Sequence, residues 1–225
     1  MVGLQRLWMR RQLTGRQVII PNHMLSPEST STQERPPEDL LSTEEARALI
    51  KCASNRAPTG LRNRALIAMM YRVGLRPGEA LKLGVDDLDL EAGTVRAPAR
   101  KGGEPRLAGV DGGTVELLQR WFQRRERMGI EPDAPVFCTL AGEPIKAAYV
   151  RELLPRLARK AGIDKRVHPL GLRYACAAEM SAEGFPTAII EAHLGVSAGG
   201  GARRYLRQYS DAEVIEAVRQ REWRL

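Results

Sequence analysis

An arginine near the head of a helix and a tyrosine further along, past a glycine-rich loop, carry the most specific chemistry in this chain. The stretch His168-Pro169-Leu170-Gly171-Leu172-Arg173-Tyr174 leads into an apolar run, then Leu194-Gly195-Val196, then Gly199-Gly200-Gly201, and finally Arg203-Arg204-Tyr205. A guanidinium presents a planar fork of donors that matches phosphate oxygens. A tyrosine hydroxyl can serve as a covalent nucleophile. Arg173 and Tyr205 together therefore suggest attack on a phosphodiester, with the glycines giving the tyrosine room to swing. The plainer expectation for Arg173 is a helix arginine facing solvent. For Tyr205 and Tyr209 it is an amphipathic helix that packs its tyrosines.

Such groups need a folded frame, and the sequence predicts one that is mainly α with a small antiparallel β-hairpin, an α+β class. Ser42 followed by Glu45 is a capping box, and Ala46, Leu49 and Ile50 give the first helix an apolar face. A second helix is predicted over Leu61–Val73, with Ala65, Leu66, Met69 and Met70 at helical spacing and Gly74 as its C-terminal cap. A third begins after Pro77, which places Arg76 in a tight connection between two buried helices. There the plainer expectation is a surface arginine paired to Glu79. Thr94-Val95-Arg96-Ala97 and Arg106-Leu107-Ala108 read as short strands, with Gly102-Gly103 at the turn and Lys101 at its tip. Further helices are predicted over Thr114–Met128, Lys146–Ala161, Leu172–Glu183 and Pro186–Leu194. A second capping box, Ser210 with Glu213, opens a final helix bearing Val214, Ile215 and Val218.

The chain has 225 residues and a formal net charge of +8, with a pI of about 9.8. That length suits one sizeable domain plus an appendage, and the charge favours a polyanionic partner. Cys52, Cys138 and Cys176 are scattered, odd in number and without metal-ligand spacing, which fits a reducing cytoplasm. No apolar run is long enough to cross a bilayer. Residues 1–19 carry Arg6, Arg10, Arg11 and Arg16 without an acid, interleaved with Leu4, Leu7, Trp8 and Leu13. A DNA-touching arm, a targeting peptide and the stump of an upstream domain all fit that pattern. Residues 21–39, rich in Pro, Ser, Thr and Glu, read as a linker.

Taken together, Gly74-Leu75-Arg76-Pro77-Gly78-Glu79, Lys101-Gly102-Gly103, His168-Pro169 through Arg173, Leu194-Gly195 and Tyr205 resemble the tyrosine recombinases, or phage-type integrases. The resemblance runs from Leu41 to Leu225. It implies a domain division of 1–40, a basic segment and Pro/Ser-rich linker expected to be disordered, and 41–225, a catalytic domain of that family. It also implies roles. Arg76 and Arg173 would clamp the scissile phosphate, with Glu79 orienting Arg76. Lys101 would protonate the leaving 5′ oxygen, and Tyr205 would attack to leave a 3′-phosphotyrosyl enzyme. Tyr209 is the second candidate for that nucleophile. Religation would need neither ATP nor metal, so no cofactor is expected. The expected partner is double-stranded DNA, in a bacterial or phage-derived cytoplasmic setting; the C-terminal helix is expected either to dock on a neighbour in a homo-oligomer on DNA or to fold back onto its own core.

The chain departs from the family pattern at Leu170 and Val196, where histidine, lysine or tryptophan usually stands. Neither side chain donates a hydrogen bond to phosphate, and both are expected to pack as core residues. His168, two positions off, is expected to shape the helix entry. The helical DNA-clamping domain usual in the family has only the short segment before Ser42 in its place. The resulting expectation is a site-specific recombinase with weak cleavage. A non-cutting DNA-binding protein on the same fold and a type IB topoisomerase-like nicking-closing enzyme are the alternatives.

Overall fold

The computed structural model describes residues 40–99, 105–196, 210–223 and 225. Its first helix, α1 (Thr43–Lys51), starts at the expected capping box: Ser42 accepts from the Glu45 N–H and Glu45 accepts from the Ser42 N–H. Helix α2 (Pro58–Arg72) opens earlier than the apolar spacing indicates, because Pro58 occupies the first turn, where its missing N–H costs nothing. Almost every residue of α2 from Gly60 onward is buried, and its buried arginines are paired, Arg62 donating to the Cys138 carbonyl at 2.9 Å and Arg72 to Asp111 at 2.9 Å. It is the post around which the domain is built, packed by α1, by α4 (Gly112–Arg127) and by α6 (Pro169–Ala182). α2 gives way at Gly74, with φ +66°, to the short α3 (Pro77–Ala80).

Three antiparallel strands follow in the order β1 (Leu88–Asp89), β2 (Thr94–Ala97) and β3 (Arg106–Gly109). The hairpin of β2 and β3 was expected; β1, two residues long, is too short to show a period in sequence. The β2–β3 register sets Val95 against Ala108 and Ala97 against Arg106. Val95, Ala97 and Ala108 are buried, so strand alternation turns Arg106 to the same inner face. Lys101 lies outside the described residues.

Helix α5 (Ala147–Ala161) lies against α1 and α6. Between α4 and α5, Val136 bridges layers: its N–H donates to the Leu83 carbonyl at 2.8 Å and its carbonyl accepts from Trp121 Nε1 at 2.7 Å. Helix α6 starts at Pro169 rather than Leu172 because His168 caps it, Nδ1 accepting from the Gly171 N–H at 3.1 Å. Helices α7 (Thr187–Leu194) and α8 (Asp211–Arg219) complete the chain. Val214 and Val218 of α8 join Cys176, Met180, Ile189 and Leu194 in a second apolar cluster, so the final helix folds back on its own chain. Beyond it, Arg221 pairs with Glu179 at 2.9 Å and Glu183 at 2.6 Å on α6. Arg72 joins the same Glu179 and also holds Asp111 at 2.9 Å. Among the described residues no helix is long and apolar enough to cross a membrane.

Candidate active site

Arg76 and Arg173, almost a hundred positions apart in sequence, converge because α6 packs against α2 and brings Arg173, near its start, to Gly74 just past the end of α2. Arg173 is only 4% exposed. Its Nη1 donates to the Gly74 carbonyl and its Nη2 to the Leu194 carbonyl. It therefore ties the end of α2 to the end of α7, contrary to the plainer expectation of a solvent-facing arginine. Arg76 is the open member, with 30% of its side chain exposed. Its Nη1 donates to Glu79 Oε1 at 2.7 Å and its backbone N–H to Glu79 Oε2 at 2.9 Å. The Arg76–Glu79 pair thus exists, but at the rim of a buried basic site rather than alone on the surface.

A third guanidinium completes the cluster. Arg106 reaches in from β3, placing Nη1 3.1 Å from Glu79 Oε1 and donating from Nε to the His193 carbonyl at 3.1 Å. Its path crosses Gly195, whose φ is +60° and where a Cβ would stand 2.5 Å from Arg106 Cδ. Only glycine serves there. From the sequence alone, Arg106 is a strand residue and no more. The available signal was the alternation that pairs it with inward-facing Ala97.

Electrostatics follow from three cations around one carboxylate. Burial alone would raise the Glu79 carboxyl, but Arg106, and then the Arg76 N–H and guanidinium, hold it below the usual carboxylate range. Burial, with Arg76 and Arg106 close by, pushes Arg173 down to about 10. Arg106 is also lowered, chiefly by burial. One donor is left over: Arg106 Nη2 is buried without a hydrogen-bond partner. A buried unpaired donor costs about 1–3 kcal/mol, and an anion seated among the three arginines would relieve both the orphan and the repulsion.

Leu170 and Val196 do not pack as core residues. They are 43% and 40% exposed, close to Arg173 in sequence on one side and to its partner Leu194 on the other. The reason is local: Leu170 lies in the first turn of α6 and Val196 just beyond the Gly195 cap of α7, where helix ends reach solvent. His193 is fully buried, its ring set against the backbone of Arg72. Burial, then the charges of Arg221 and Arg106, pushes its pKa down to about 3, so the ring is neutral. Tyr205 and Tyr209 lie outside the described residues. Among those described, no group of His, Cys, Asp and Glu could hold a metal.

Residues 39–211 match the phage integrase family over most of the chain. The chain belongs to that family. Among its relatives, a tyrosine recombinase XerC of Pelotomaculum thermopropionicum is 28% identical over 79% of this chain and 63% of its own length. The solved XerA recombinase superposes with a TM-score of 0.64 at 25% identity, covering 79% of this chain and 63% of that one. The XerH site-specific recombinase, solved in a pre-cleavage complex with its difH substrate, gives 0.62 at 26% identity, over 74% of this chain and 49% of that one. This integrase-family chain thus spans less than two thirds of the length of each of these relatives.

Proposed function

We propose that this chain is a DNA strand transferase of the tyrosine recombinase type, acting in site-specific recombination or integration through a 3′-phosphotyrosyl intermediate. The observation that carries the reading is the cluster of Arg76, Arg106 and Arg173 about Glu79, with its unpaired buried donor on Arg106. Preorganised donors of this kind stabilise the charge that grows on a phosphoryl group in the transition state. Tyr205 attacks phosphorus, forming the tyrosyl ester as the bond to the 5′ oxygen breaks. Lys101 gives that oxygen its proton. The 5′ hydroxyl then reverses the step on the same or another strand, with no ATP and no metal required. Residues 41–225 form the domain that does this, preceded by the basic segment and linker of 1–40. Double-stranded DNA is the partner, by likeness to the XerH complex with its substrate, and the setting is the cytoplasm.

Oligomers on DNA would form by exchange of the C-terminal helix, a neighbour's Val214 and Val218 replacing the chain's own in the cluster with Cys176 and Met180. Truncation after Tyr209, followed by ultracentrifugation on DNA, tests this: an unchanged oligomeric state removes the exchange.

A second reading, a DNA-binding protein that does not cut, draws on the exposed apolar Leu170 and Val196, near Arg173 and Leu194 in sequence, where the family pattern has polar donors. Trapping on a nicked suicide substrate separates the two. A denaturation-resistant protein–DNA adduct, lost in Tyr205→Phe, supports strand transfer; binding without adduct supports the second reading. Where adduct forms, joining of two duplexes separates recombination from nicking and closing.

A further inference from the structure

A second basic site lies at the other end of α2. The chain between α1 and α2 and the C-terminal half of α4 enclose a cleft of about 230 Å³ lined by Asn55, Arg56, Leu61, Arg120, Arg124 and Arg127. Helices α2 and α4 run antiparallel, since Arg72 at the end of α2 holds Asp111 at the cap of α4. The cleft therefore sits at the beginning of α2, whereas the Arg76–Arg106–Arg173 cluster follows its end. Fifteen residues of helix at 1.5 Å each separate them by about 22 Å.

The arrangement gathers positive charge without neutralising it. Arg120, Arg124 and Arg127 are spaced along one face of α4, where like charges a turn apart repel. Arg64, behind them, has its pKa lowered by burial and then by Arg120. Among the described residues no carboxylate comes within ion-pair distance of Arg56, Arg64, Arg120, Arg124 or Arg127. Two of the forks are pinned from behind: Arg120 Nη2 donates to the Asn55 carbonyl at 3.1 Å and Arg124 Nη2 to the Arg56 carbonyl at 3.2 Å. Those bonds order the guanidinium groups and leave their remaining donors for a ligand, and Arg56 and Arg127 stand exposed at the mouth. The volume suits a phosphate with part of its substituent, not a larger organic ligand.

We infer that this cleft is a second phosphate-binding site, separate from the arginine cluster, that seats a phosphate of the nucleic-acid backbone. The backbone source rests on DNA being the partner; the phosphate chemistry does not. The test measures duplex binding against salt for wild type, Arg56→Ala/Arg127→Ala, Arg76→Ala and the triple variant. Arg120 and Arg124 are kept because they brace the loop. Loss of one or two phosphate contacts should flatten the log–log salt slope by about one to two and weaken binding several-fold, equally on unrelated sequences. Distance predicts that the loss adds to that of Arg76→Ala. Arg56→Lys/Arg127→Lys should keep the slope. A parallel thermal melt with inorganic pyrophosphate addresses the other source. Pyrophosphate that stabilises wild type but not the double alanine variant, with unchanged DNA slopes, keeps the phosphate site and rejects the backbone as its ligand. No change in either measurement overturns the site. Because none of these readouts needs cleavage, failure of the strand-transfer reading would appear separately, as absence of the phosphotyrosyl adduct.

Discussion

Arg173 donates to the carbonyl of Gly74, and that glycine sits at φ +66° where α2 ends. One arm of the guanidinium thus depends on a backbone turn that side-chain-bearing residues rarely adopt. A Cβ on Gly74 would also stand 2.2 Å from Leu194 Cδ2, and Leu194 supplies the carbonyl for the other arm. Gly74→Ala therefore disturbs both anchors of Arg173. The expected cost is roughly 2–4 kcal/mol, from left-handed strain together with overpacking. Urea unfolding measures it, and a loss well under 1 kcal/mol would show that the turn is not held by this geometry.

Arg106 is the largest single charge holding the Glu79 carboxyl down, beside the hydrogen bonds of Arg76. Arg106→Ala removes that charge and the Nε bond to the His193 carbonyl, leaving a carboxylate of 7% side-chain exposure with Arg76 as its remaining partner. Stability should fall by about 1–3 kcal/mol at neutral pH. The folded Glu79 pKa is depressed, so its contribution is present above the unfolded value of 4.5 and lost as pH falls through the folded value. In Arg106→Ala the loss begins at higher pH, which a pH series of unfolding midpoints would reveal. DNA binding should weaken as much as in Arg76→Ala; full retention would place Arg106 outside the phosphate site.

The sequence made the frame legible wherever a local signal was strong. Ser42 with Glu45 and Ser210 with Glu213 mark helix starts by hydrogen bonds closed within four residues, and both are found. The β2–β3 hairpin was legible by alternation. Arg106 was not recognised, because its role depends on β3 meeting Gly195 of α7, a contact no window of sequence contains. The start of α6 is hidden for a related reason: apolar periodicity begins at Leu172, while the cap is His168, expected at the helix entry but an uncommon cap residue. Leu170 and Val196 were expected inside on hydrophobicity alone, but helix ends, not residue type, decide their exposure.

His193 predicts a pH dependence of its own. Its folded pKa of about 3 lies below the ordinary 6.5, so the unfolded chain binds the extra proton between these values and stability rises with pH. Between pH 5 and 6.5, above the ordinary carboxylate range, stability should fall on acidification by at most about 1.4 kcal/mol per unit. His193→Leu removes the titrating ring, so it should flatten the slope between pH 5 and 6.5. A slope unchanged in the variant would mean that the ring is hydrated or paired in solution.

The last expectation concerns Leu170 and Val196, the two positions where the family pattern carries a polar donor. Because they are 43% and 40% exposed, neither is a packed core residue whose replacement leaves a cavity. Leu170→His with Val196→His should therefore change stability by about 0.5 kcal/mol or less, whereas substitution at packed core positions would cost several times that. Exposure also leaves the new imidazoles free to face a phosphate bound at Arg76 and Arg106. Removal of a single preorganised donor typically costs about a hundred- to a thousand-fold in rate, so restoring one or both should raise adduct formation on a nicked suicide substrate by at least ten-fold over wild type. Adduct in the double variant must also disappear with Tyr205→Phe and persist with Tyr209→Phe. If wild type already cleaves as fast as the double variant, another group fills the place of these donors. If the double variant binds DNA normally and forms no adduct, the missing imidazoles are not what limits cleavage, and the non-cutting reading becomes the better one.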